Sequence, residues 1–155
     1  MGEREKILSS IRERHGMVGD ILSMMATLDF YLIFVISKYI CKNDKEKIKF
    51  VMPLIDSSRN FHVKIKALKE LSKFYSNFFN RHSELISNIE AMQELRNKLA
   101  HGMAKDEGRI IAFVKANNYG SNELSVFPYD KEKHIDNIII LNKSIESLKS
   151  LIEII

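Results

Sequence analysis

The segment Ile21–Ile40 constrains the fold more than any other part of the chain: it is predominantly apolar and long enough to cross a bilayer as a helix. Asp29 stands at its middle, where an acid costs about 3 kcal/mol in a membrane, and Ser23, Thr27, Ser37 and Lys38 dilute the rest. The segment therefore reads as the buried helix of a soluble protein. It is apolar on more than one face, so it should contact more than one neighbour or a dimer partner. Ile21, Met24, Met25, Leu28, Leu32, Val35, Ile36 and Tyr39 are its expected buried positions, with Asp20 as N-cap.

The rest of the chain supplies such neighbours. Glu3–Arg14 carries Ile7, Leu8 and Ile11 on one side of a charged segment, a short amphipathic helix that Gly16 and Gly19 should interrupt. Asn43 is the expected cap of a third helix with Ile48, Phe50, Val51 and Leu54 as apolar positions, kinked or ended by Pro53. After a turn at Ser57–Asn60, Phe61, Ile65, Leu68, Leu71, Phe74 and Phe78 step by three and four through a fourth helix, Phe61–Asn77. A break at Asn80–Ser83 precedes a fifth, in which Leu85, Ile89, Met92, Leu95 and Leu99 form the core stripe and which Gly102 stops. Beyond Gly102 the period shortens. Two runs rich in β-branched and aromatic residues, Arg109–Val114 and Glu123–Phe127, flank the turn residues Asn117–Asn122 and predict a β-hairpin over 109–128, ended by Pro128. Asp130 caps a final helix with Ile135, Ile138, Ile139, Asn142, Ile145, Leu148 and Ile152 along one side. The expectation is one mainly α domain over 1–155, an antiparallel helical bundle with a small hairpin before the C-terminal helix.

A formal charge of +4 permits an anionic partner, although cationic and acidic residues alternate along most of the chain. Cys41 is the only cysteine, which excludes an intrachain disulfide and a thiolate zinc site and suits a cytoplasmic protein; it should be buried or half-buried. The mixed charges of Met1–Lys6 do not resemble a signal peptide. His15, His62, His82 and His134 have no spacing that suggests a metal cage and read as surface or packing residues, and Met17, Met24 and Met25 read as core. There is no Gly-rich phosphate loop, nucleophile elbow or zinc-protease helix.

Residues able to do chemistry gather at the end of the fifth helix, in Glu94-Leu95-Arg96-Asn97-Lys98-Leu99-Ala100-His101-Gly102. Asn97 and His101 are four apart and share a face, and the long side chain of Arg96 can bend round to join them. An arginine that forks onto phosphate oxygens beside a histidine that exchanges protons suits phosphodiester chemistry. The same residues also make an ordinary helix terminus, with imidazole at the negative end of the macrodipole. Two further positions stand out. Asp29, an acid inside the most apolar helix, is either buried and then paired, hydrogen-bonded or neutral, or points to solvent from a thin polar stripe. Lys64 interrupts the apolar face between Phe61 and Ile65, and either reaches a phosphate or snorkels from the edge of the core.

Arg96-Asn97-x-x-x-His101 followed by Gly102, closing a helix in a small and largely helical protein, resembles the signature of the HEPN superfamily. The resemblance, extending over Asp20–Ile155, implies a HEPN-like bundle and a metal-independent endoribonuclease of toxin–antitoxin or anti-phage systems. It implies no cofactor, a homodimer that brings two motifs together, RNA as substrate, and a possible antitoxin protein as partner. Arg96, His101 and Asn97 would be the catalytic residues, supported by Lys64 and by Asp29, which would hold Arg96 or His101 in place. The chain departs from the family pattern at Met103, where toxins paired with a nucleotidyltransferase antitoxin often have the tyrosine that is modified. The alternative is a non-catalytic HEPN-like module that binds a nucleotide, RNA or a protein.

Overall fold

The computed structural model describes residues 2–57, 61–101, 103–107, 110–116 and 124–155, the side chains of Ser10, Ser57, His101 and residues 103–127 excepted. The expected turn through 58–60, the helix stop at Gly102 and the hairpin turn at Asn117–Asn122 lie outside these residues. Within them the order is α1 (Glu3–Cys41), α2 (Lys45–Ser57), α3 (Phe61–Phe74), α4 (Ser76–Arg81), α5 (Leu85–His101), β1 (Met103–Glu107), β2 (Ile110–Ala116), β3 (Leu124–Tyr129) and α6 (Lys131–Ile154). The described residues are mostly helical, as the apolar spacing requires.

The amphipathic segment at the start and the apolar segment after it form a single helix of 39 residues, about 58 Å long. Gly16 and Gly19 do not interrupt it, and Asp20 lies inside it rather than capping it. A glycine in a helix interior costs only about 1 kcal/mol, less than is gained from the apolar burial of Met17 and Ile21 on the same stretch. A Cβ at either glycine would meet no atom within 4 Å. Gly16→Ala and Gly19→Ala should therefore each stabilise the protein by about 1 kcal/mol, read as a higher urea midpoint. An unchanged midpoint would mean that the helix has frayed short of these positions in solution.

Pairings across the bundle give its directions. Asp20 meets His134 and Lys38 donates to the Ile152 carbonyl, so α1 and α6 run side by side in the same direction. Lys64 meets Asp29 and Tyr39 lies against Phe74, so α3 is also parallel to α1. Lys69 meets Glu90 while Phe61 and Ile65 share a cleft with Glu94 and Asn97, and His82 meets Ser147 while Glu84 meets Lys143, so the chain through α5 runs antiparallel to both α3 and α6. α5 thus runs against α1, α3 and α6, and Leu28, Leu32 and Val35 of α1 are fully buried. By length and composition α1 could cross a membrane; in this fold α2, α3, α5 and α6 pack along it.

Local chemistry shifts several boundaries. The cap of α2 is Asp44, not Asn43: its Oδ1 accepts from the backbone N–H groups of Glu46 and Lys47 at 3.1 and 3.2 Å. These backbone bonds, with Lys47's side chain, hold the Asp44 carboxyl below its ordinary value. Asn43 instead takes positive φ with Lys42 in the link from α1, a conformation asparagine tolerates. Pro53 lies within α2, which continues to Ser57. Of its apolar positions Ile48 is buried, whereas Phe50 and Leu54 are 72% and 58% exposed. The expected fourth helix is split at Tyr75, whose backbone leaves the helical region. The break resets the phase, so the consecutive Phe78 and Phe79 are both buried, edge to face.

β2 and β3 pair antiparallel and β1 pairs with the other edge of β2, giving the order β1-β2-β3; β1 is a strand that the sequence does not announce, and the connection between β2 and β3 lies outside the described residues. Pro128 does not end β3. It sits within it opposite Ala112, which an edge strand allows because its missing N–H can be one that faces away from the sheet. Asp130 caps α6 as expected, accepting from the Lys133 N–H at 2.8 Å. The buried stripe of α6 is rotated from the expected one: Leu141, Ile145, Leu148 and Leu151 face the core while Ile135 and Ile139 are exposed. The parallel contact with α1 selects that face, and it could not be read from a helix carrying isoleucine on several sides.

Candidate functional site

Burial of Leu95 and Leu99 fixes the rotation of the last turns of α5 and leaves Arg96 half-buried and Asn97 exposed. The Arg96 guanidinium donates from Nη1 to Asn97 Oδ1 at 3.3 Å, and Gln93 Nε2 approaches the same oxygen at 3.5 Å. Asn97 therefore orients the arginine head. Arg96 stands between two adjoining clefts of about 560 and 540 Å³. Asp29 of α1, Asp56 of α2 and Lys64 of α3 line the first; His62 and Ile65 of α3 and Glu90, Glu94 and Asn97 of α5 line the second. Phe61, Gln93 and Arg96 line both.

Asp29 contacts neither Arg96 nor open solvent alone. Its two carboxylate oxygens accept from Lys64 Nζ at 2.8 and 2.9 Å. Lys64 is 4% exposed, and a buried ammonium has more need of a counter-charge than a guanidinium at the cleft mouth, which can be hydrated. The expectation that Lys64 snorkels from the core edge or reaches a phosphate gives way to a buried ion pair in the cleft wall. His101 is the last residue of α5, four after Asn97 and hence on its face; its side chain lies outside the described residues.

The charge around the clefts is mostly committed. Glu90 pairs with Lys69 at 2.6 Å and Glu94 with Lys98 at 2.9 Å. The hydrogen bond from Lys98 holds the Glu94 carboxyl below its usual range. Among the described residues Arg96 makes no ion pair, so its charge is available to an anion. Asp56 is likewise without a cationic partner among them. Among the described residues no cluster of His, Cys, Asp and Glu is placed to hold a metal ion. Cys41 is a free, buried thiol.

Phe61, Gln93 and Asp56 are among the cleft residues that the sequence alone does not mark as functional. Phe61 had been placed on the core side of its helix; Gln93 could have been noticed four positions before Asn97 on the same face. Asp56 joins them only through the return of α2 along α1. A second polar constellation was also missed. His134 is buried and receives contacts at both ring nitrogens, Nδ1 with Tyr129 Oη at 3.1 Å and Nε2 with Asp20 Oδ2 at 3.2 Å. Burial pushes the Tyr129 phenol up from its ordinary value. This chain ties the end of β3 to α6 and α1, and none of its members lines either cleft. The geometry thus offers one uncommitted guanidinium, oriented by an asparagine, at the junction of two clefts and less than two helical turns from a histidine. No family model, curated protein or solved structure matches the chain.

Proposed function

We propose that the protein is a HEPN-like, metal-independent endoribonuclease that works as a homodimer in the cytoplasm, in a toxin–antitoxin or anti-phage setting where an antitoxin protein could restrain it. The observation that carries the reading is Arg96: a cation in the Arg96-Asn97-x-x-x-His101 pattern, held by Asn97 and free of carboxylates among the described residues, at the mouth of two clefts. RNA would be cut by its own 2′-hydroxyl. The O2′–P bond forms and the P–O5′ bond breaks, one group taking the proton from O2′ and another giving one to the departing O5′, which leaves a cyclic phosphate and a 5′-hydroxyl. Arg96 would stabilise the charge that builds on the phosphoryl oxygens, and Asn97 would hold it in line. One chain carries one histidine in this motif, so a two-fold dimer would supply the second proton carrier.

The deciding experiment incubates purified protein with several single-stranded RNAs in EDTA and analyses the fragment ends. Cleavage leaving cyclic-phosphate and 5′-hydroxyl ends is expected. RNA binding without cleavage would assign the protein instead to the non-catalytic binding modules. Cleavage that needs an added divalent ion would reject the mechanism.

A further inference from the structure

We infer that the two clefts form a nucleotide site in which the Phe61 ring stacks a base and the Asp56 carboxylate reads that base as guanine, beside the Arg96 guanidinium that takes its phosphate. The inference rests on the RNA reading above and names which nucleotide sits at the cut. Phe61 is half-buried, packed on the core at one side and lining both clefts at the other, as is Arg96. A π-face and a guanidinium bordering the same two cavities match the two halves of a nucleotide, base and phosphate.

The charge balance points to a base as well. A groove built for phosphates alone would gather uncommitted cations, yet the lysines around these clefts are bound to carboxylates, Lys64 to Asp29, Lys69 to Glu90 and Lys98 to Glu94. Asp56, exposed and without an ion pair among the described residues, lines the first cleft with Phe61 and Arg96. A carboxylate there repels phosphate but accepts hydrogen bonds, and guanine presents two adjacent donors, N1–H and the N2 amino group, that fit its two oxygens. Uracil offers one donor and adenine an amino group beside an acceptor. A matched two-point contact of this kind discriminates about tenfold or more.

The test separates binding from cutting by using fluorescein-labelled 2′-O-methyl hexanucleotides, which lack the attacking hydroxyl, in fluorescence anisotropy. An oligo-uridine carrying one guanosine should bind about tenfold tighter than the all-uridine hexamer, and inosine in its place, lacking the N2 amino group, should lose most of that advantage. Asp56→Asn should remove the preference, so that the guanosine and all-uridine hexamers bind with equal affinity. Phe61→Leu, which keeps an apolar contact to the core, should weaken every oligomer about tenfold, and Phe61→Tyr should restore binding. Equal affinity for the guanosine and all-uridine oligomers, or unchanged binding by a folded Phe61→Leu protein, would overturn the inference. If these binding results appear but natural RNA is never cut, the nuclease reading fails and the nucleotide site stands; if natural RNA is cut in EDTA but no oligomer binds, the nucleotide site fails and the nuclease reading stands.

Discussion

Alanine in place of His101 is expected to slow RNA cleavage in EDTA by about 10²–10⁴-fold, the usual worth of one proton-transfer role. The protein should still fold, because His101 is the final residue of α5 and the stripe that anchors the helix ends at Leu99. Affinity for an uncleavable RNA should change little, because in the proposed site Arg96 takes the phosphate. Arg96→Ala should lower both cleavage and affinity. Lysine at that position should not restore either fully, because it cannot offer two parallel donors to phosphate while bonding Asn97. Cleavage that survives His101→Ala would remove the histidine from the mechanism. Equal losses of binding in the two variants would mean that His101 anchors the substrate rather than moving protons.

The second large effect is on stability. Asp29→Ala should destabilise the fold by about 3 kcal/mol, because it strands the Lys64 ammonium, 4% exposed, beside the buried Ile65 and Leu68. Lys64→Met should cost less, since the Asp29 side chain is 29% exposed and can turn to water. Replacing both, Asp29→Leu with Lys64→Met, should return stability close to that of the wild type, as apolar exchange of a buried pair commonly does. Urea unfolding of the three variants gives the coupling directly. If the two single losses simply add in the double variant, the residues are not coupled, and the lysine finds its compensation elsewhere.

These two predictions stand on residues that the sequence exposes unequally. Arg96, Asn97 and the apolar stripe beneath them lie within a single helix, where spacing alone sets who faces whom, so the end of α5 is legible in the sequence. Asp130 as a cap is local in the same sense. Asp29 and Lys64 were each visible as anomalies on apolar faces, but their pairing depends on α1 and α3 running parallel, which no local pattern encodes. The same holds for His134, whose partners come from β3 and from the middle of α1. The misplaced glycine breaks had a different origin. Propensity counts a fixed penalty for each glycine, whereas the helix answers to the total over its length, and burial on both sides outweighs two such penalties. At the other end of α1, Asn43 and Asp44 are both good caps by type; the left-handed link from α1 decides between them by consuming the first.

The pairing of lysines with carboxylates around the two clefts bears on how a polyanion would be held there. A strand seated at Arg96 would displace about one condensed counterion per protomer, giving a salt exponent of only about −0.7 for each phosphate neutralised. Grip at this site would then persist as ionic strength rises, and it would depend on which nucleotide is presented rather than on how many phosphates the strand carries. Such a protein would sort the positions of a long transcript by base rather than by charge.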